Sequence, residues 1–275
     1  MLEETRGGGA EDERFAEGAS RYADYLLTTE GRLRLDAAWA NLKRFADAEL
    51  LRGVGGEYEG RALDAGGGTG ALALRLAAEG WEVAVLDSSR AMLDLAAEAA
   101  SREGLAERVS LQQSDAGRAA ELFDRGSFDL VACHNVLEYV AEPERVVAAL
   151  TECVRPNGLV SLLARNRAGE VLRAAVKARD FGAAREALTA EEVRESLYGG
   201  PARLFDARTL GALLDEGAWE VVGVCGVRVF ADYLPPELST AEEGYAGLLS
   251  LEIELGARPE FAAVARYTQL FARRR

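Results

Sequence analysis

The sequence predicts an α/β fold: a Rossmann-like, seven-stranded, doubly wound sheet with N-terminal helices and a helical insertion between strands five and six. Three observations carry this. Short apolar runs alternate with amphipathic segments of 10–15 residues between Arg61 and Arg165. The first run breaks into the glycine-rich turn Asp64-Ala65-Gly66-Gly67-Gly68-Thr69-Gly70. Two further apolar, β-branched runs close the sequence, spaced as an antiparallel pair. Strands joined through helices form right-handed βαβ units, and these demand a parallel sheet covered on both faces.

The elements follow in order. Residues 1–17 are rich in Gly and Glu and are expected to be disordered; 18–60 form a helical cap. Within the cap, apolar residues from Tyr22 to Ala46 recur at three and four, the helical period, before the glycine-rich loop 51–61. The core is placed at 61–165. There ALDA, EVAVLD, VSLQQSD, SFDLVACHN and PNGLVSLLARN read as strands. ALALRLAAEG, AMLDLAAEAASREG and PERVVAALTECV read as the helices between them: Gly80 closes the first, Ser88 or Ser89 caps the second, and Pro143 opens the third. Residues 166–216 read as a helical insertion, with GEVLRAAVKARDF, TAEEVRESLY and TLGALLDEG as its helices. Residues 217–275 carry the closing strands, WEVVGVCGVRVF and FAAVARYTQLFARR.

Composition narrows the function. The 275 residues carry 32 basic and 46 acidic side chains, a net charge of −14. Apolar residues make up 49%, the balance of a packed globular protein. No apolar run approaches the roughly 20 residues that span a bilayer, and MLEETRGGGAEDERF has no signal-peptide core, so a cytoplasmic protein without a membrane partner is expected. Cys133, Cys153 and Cys225 have neither disulfide nor zinc spacing, and no metal site is predicted. An acidic chain is repelled by nucleic acid at long range, which argues against DNA. One stretch runs the other way: residues 165–185 hold six basic residues against two acidic.

The chemistry-bearing residues cluster at the carboxyl ends of the expected strands, where such sheets bind ligands. Glycines at 66, 67 and 68 allow a tight turn and close backbone approach to a ligand. A dinucleotide fingerprint is formally satisfied by Gly66, Gly68 and Ala71, but Asp64 would repel a pyrophosphate and tolerates a cationic or zwitterionic ligand. Asp87, followed by Ser88, ends the second strand, where a carboxylate accepts ribose hydroxyls. Asp115, followed by Ala116, ends the third, within reach of an adenine amino group. His134, the single histidine, ends the fourth.

On these residues the chain resembles the class I S-adenosylmethionine-dependent methyltransferases. More narrowly, it is similar to the bacterial tRNA 5-carboxymethoxyuridine methyltransferases. Four segments carry the narrower likeness: Thr28–Arg34, LDAGGGTG, His134–Val140 and Gly226–Leu234. The resemblance implies S-adenosyl-L-methionine as methyl donor, contacted by Arg34, Gly66, Gly67, Asp87, Asp115, Ala116 and His134. Methylating a carboxylate needs no general base, which suits a chain with one histidine, and Arg228 with Tyr233 beside it is expected to position the acceptor. Two acceptors remain open, tRNA and a small carboxylate or hydroxyl compound. The likeness outside the donor-binding body favours tRNA, and the net charge favours a small molecule. An NAD-dependent oxidoreductase and a non-catalytic donor-binding protein are the competing classes.

Overall fold

The computed structural model describes residues 8–46, 60–195, 199–235 and 242–275, with side chains from residue 18. Two helices, α1 (Gly8–Leu27) and α2 (Thr29–Phe45), precede the sheet. The break between them is local chemistry. Thr28 caps α2 by accepting from the Gly31 amide at 3.1 Å, which ends the preceding helix. Helix α1 starts at Gly8, inside the segment 1–17 that composition led us to expect as disordered; residues 1–7 lie outside the described residues. The loop expected over 51–61 lies mostly outside the described residues.

The core then runs β1 (Arg61–Ala65), α3 (Ala71–Ala78), β2 (Glu82–Asp87), α4 (Arg90–Arg102), β3 (Val109–Gln113), β4 (Phe128–His134), α5 (Pro143–Glu152) and β5 (Val154–Arg165). The insertion holds α6 (Arg167–Leu172), a π-helical turn at Arg173–Lys177, α7 (Phe181–Ala187), the paired strands β6 (Glu192–Arg194) and β7 (Pro201–Arg203), and α8 (Ala207–Gly211). It closes with β8 (Trp219–Val227), α9 (Glu242–Gly256) and β9 (Tyr267–Arg274).

The main sheet has seven strands in the order β3-β2-β1-β4-β5-β9-β8. Strands β1 to β5 pair in parallel, and β9 runs antiparallel to both β5 and β8. Side chains alternate between its faces as strand geometry requires. Leu63, Leu86, Val131 and Leu162 face α5 and α8; Ala62, Val85, Leu130 and Phe271 face α2, α3 and α4. Phe45 of α2 stacks on Phe271 at 4.5 Å between ring centres.

Two expectations for the insertion and the closing region are corrected. The described part of TAEEVRESLY, residues 189–195, is not a helix: Glu192–Arg194 pairs with Pro201–Arg203, and this pairing overrides helix propensity. The stretch between the closing strands contains α9, which the sequence reading did not assign.

Candidate active site

A cavity of about 700 Å³ lies along the carboxyl edge of the sheet, roofed by α1, α2 and the insertion. Its two ends differ in construction.

The first end is built from backbone and small side chains. Gly66 adopts φ +66°, and a Cβ there would meet Cγ2 of Val136 at 2.1 Å, so the turn after β1 tolerates no side chain. Asp87 is fixed by two amides: Gly68 donates to one carboxylate oxygen at 2.9 Å, and Ser89 to the other at 2.9 Å. Asp115 accepts from Gly117 at 2.7 Å, so it caps a short helical turn while also lining the cavity. Ser88, Ala116 and Gly68 complete this wall. Ser89, not Ser88, caps α4, accepting from Met92 at 3.4 Å.

Asp64 and Gly67 are placed differently from expectation. Neither lines the cavity. Asp64 is buried below the loop, 2.7 Å from the point a Cβ on Gly67 would occupy, and its Oδ2 has no partner. Burial, helped by the Asp87 charge, pushes its carboxyl up to about 7. It forms the floor of the turn.

His134 also lines the cavity and is held from behind. Gln269 Nε2 donates to Ala38 O and to Ser161 Oγ, both at 3.2 Å, and Ser161 Oγ lies 2.8 Å from His134 Nε2. Burial and then the Arg34 charge push the imidazole down to about 3, so it is neutral at physiological pH. Arg34 is buried, donating to Asn135 Oδ1 and, at 2.8 Å, to Tyr22 OH. Its Nε is buried with no partner among the described residues. Asn135, at φ +57°, donates onward to Glu138 at 2.9 Å, and Glu138 accepts the Arg165 amide at 3.0 Å.

The second end is built from charge. Arg165, Arg228 and Arg266 surround the ring of Tyr267, each guanidinium carbon 5.9 Å from its centre. Sheet register brings them together: Tyr267 pairs with Arg165 on one side and Val227 on the other, and the Arg266 amide donates to Arg228 O at 2.8 Å. Arg173 and Lys177 on the π-helical turn, with Arg194 from β6, extend the positive wall. Glu170, Glu195 and Asp232 oppose them, leaving six cations against three carboxylates at this end.

The two residues expected to position an acceptor separate here. Arg228 lines the cavity at φ +62°, but its Nε and Nη2 go to Asp232 and its Nη1 to Tyr25 OH at 2.9 Å. Tyr233 does not line the cavity; the helical turn Ala231–Tyr233 carries it aside. The sequence reading missed Tyr22, Glu138, Arg266 and Tyr267. The available signal was a basic residue at the rim of each inner strand, in Ala164-Arg165-Asn166 and Ala265-Arg266-Tyr267.

A parallel sheet closed by an antiparallel pair, with a glycine turn and acidic residues at successive strand ends, defines an S-adenosylmethionine-dependent methyltransferase. The comparisons agree. Residues 63–162 match a methyltransferase domain model. An S-adenosylmethionine-dependent methyltransferase from Thermotoga maritima shares the fold with a TM-score of 0.61 at 15% identity, covering 96% of this chain and 99% of that one. The tRNA 5-carboxymethoxyuridine methyltransferase of Escherichia coli K12 is 31% identical over 96% of this chain and 97% of its own length. The ubiquinone biosynthesis O-methyltransferase of Photobacterium profundum is 35% identical over 42% of the chain. The chain belongs to the tRNA 5-carboxymethoxyuridine methyltransferase family. Its residues fit the methyl donor: a turn with no room for a Cβ at Gly66 or Gly67, an aspartate held by two amides, and a buried arginine whose Nε has no partner among the described residues.

Proposed function

We propose that the protein esterifies the carboxymethoxy group of 5-carboxymethoxyuridine at the wobble position of tRNA. The observation that carries this is the cationic far end of the cavity, six positive side chains against three negative in a chain whose net charge is −14. Such an end serves an anionic acceptor. The likeness to the Escherichia coli enzyme over nearly the whole chain supports the tRNA carrier.

When bound, S-adenosylmethionine supplies an electrophilic methyl on a sulfonium. Asp87 and Asp115 would hold its ribose and adenine and Arg34 its carboxylate, in a cavity that the neutral His134 also lines. A carboxylate oxygen of the acceptor forms the new bond to the methyl carbon while the carbon–sulfur bond breaks, leaving a methyl ester and S-adenosylhomocysteine. The acceptor is already ionised at neutral pH, so no residue has to remove a proton. The chain contributes alignment and exclusion of water. The reaction belongs in the cytoplasm, where the tRNA is.

Incubating the protein with S-adenosylmethionine and carboxymethoxyuridine-containing tRNA, then digesting to nucleosides for mass spectrometry, tests this. The expected product is the methyl ester at the wobble position. Unchanged nucleosides alongside turnover of a small carboxylate would replace tRNA with that compound.

A further inference from the structure

Three of the buried guanidiniums at the cavity already donate to side chains of the fold, and one of them, Arg34, keeps an Nε at the donor end with no partner among the described residues. Arg34 donates to Asn135 and Tyr22, Arg228 to Asp232 and Tyr25, and Arg266 to Glu170. Arg165 differs. Its side chain is 9% exposed and lines the cavity, yet its guanidinium donates no hydrogen bond to any described residue. Among the described residues the carboxylate oxygens paired with it, on Glu170 and Glu195, stand at 3.8 and 3.7 Å, beyond hydrogen-bond reach, and its buried Nε has no partner there. The oxygens of Glu170 are already taken, one by Arg173 at 2.6 Å and the other by Arg266. A guanidinium has five donors, and one that is buried with none used is unfavourable unless a ligand completes it.

Tyr267 stands opposite Arg165 in register and also lines the cavity. Its hydroxyl makes no hydrogen bond to any described residue. Burial alone would raise this hydroxyl's pKa, but the charges of Arg165, Arg228, Arg266 and Arg34 outweigh burial and hold it below the ordinary phenol value, which strengthens it as a donor.

We infer that Arg165 and Tyr267 form the receptor for the acceptor's carboxylate, the planar fork of one and the hydroxyl of the other donating to its oxygens. Arg228, the residue the sequence suggested for this task, instead holds Asp232 and Tyr25 in place. The ligand class is a planar monoanion, for which fork and carboxylate are geometrically matched. This rests on the reading of the acceptor as a carboxylate. It adds that the anion is selected by two residues from adjacent inner strands, not by the exposed cations of the insertion.

The test compares binding of the nucleosides 5-carboxymethoxyuridine and 5-methoxyuridine to the full chain loaded with S-adenosylhomocysteine. Wild type is expected to prefer the carboxylate. Arg165→Lys keeps the charge and loses the fork; Tyr267→Phe removes a single oxygen. Each should cut the preference by about tenfold or more, the loss of a hydrogen bond to a charged group, with S-adenosylhomocysteine affinity within about twofold of wild type. A merely structural role would instead lower the melting temperature and weaken both nucleosides alike. Wild-type preference in Tyr267→Phe overturns the inference, and this variant decides the matter if Arg165→Lys does not fold. The function proposed above fails separately, if wild type leaves the tRNA unesterified; the nucleoside preference is measured without turnover and still reports on Arg165 and Tyr267.

Discussion

The two ends of the cavity teach different lessons about how a site is made. Most of the donor end comes from one stretch, the turns after β1 to β4, with Arg34 added from α2, and the working atoms of that stretch are largely main-chain amides and the carboxylates they hold. Asp87, gripped by Gly68 and Ser89, is typical. The acceptor end gathers Arg165, Arg228, Arg266 and Tyr267, residues separated by up to 102 positions, and its working atoms are side-chain donors. A backbone-built end is rigid and served by any sequence that makes the turn. A side-chain-built end can be re-specified without touching the fold.

If that division is real, damage at one end should leave the other measurable. The largest effect is expected from Gly66→Val. A β-branched residue at φ +66°, colliding with Val136, combines backbone strain and overpacking, so stability should fall by about 2–5 kcal/mol and donor binding should vanish. A urea midpoint near wild type would show that the turn is not rigid. Next, Asp87→Ala should weaken donor binding by about 1–3 kcal/mol while leaving the KM for tRNA unchanged; calorimetry and steady-state kinetics separate the two. A raised KM alone would dissolve the division.

Smaller still is the paired change Arg173→Gln with Lys177→Gln. Both line the acceptor end, so the apparent constant for tRNA should rise and its logarithmic salt slope should shrink by up to about 1.4, at roughly 0.7 per phosphate contact on a single strand. Donor affinity should not move. The smallest effect concerns the floor. The Asp64 carboxyl titrates at about 7 in the fold against 3.8 unfolded, so its contribution is complete below 3.8 and is lost as pH rises through 7. His134, at about 3 against 6.5, has the opposite sign: its contribution is present above 6.5 and lost as pH falls towards 3. The two slopes oppose each other between 3.8 and 6.5. Asp64→Asn removes one of them, so its melting temperature should climb more steeply than wild type's across that range.

The same division decided what could be read from sequence. The donor end was legible because its parts are consecutive: strand, glycine turn, acidic strand end. Depth was what it did not show, since a sequence does not tell that Asp64 lies beneath the turn it precedes. The acceptor end was half legible. Arg228 was found, but its commitment to Asp232 and Tyr25 depends on α1, 203 residues away. Helix α9 was missed because its buried face is not apolar throughout. Glu252, 1% exposed, accepts the amides of Val229, Phe230 and Ala231, and a carboxylate at a core position breaks the pattern a helix is recognised by. β6 and β7 were read as helix and loop because three-residue strands carry too little pattern to outvote local propensity.

The placement of β9 carries a consequence for how the molecule comes into being. This strand is inserted between β5 and β8, its partner Leu159 lying 114 residues upstream of Arg273. During synthesis the turns after β1 to β4 emerge early and can close around one another by local contacts. Tyr267 and Arg266 emerge last, and until they do, β5 has an open edge and β8 has no neighbour in the sheet. A nascent chain can therefore assemble the donor's cradle long before it has anywhere to put an acceptor. Its final step is a slow, non-local strand insertion that finishes the sheet and the site together.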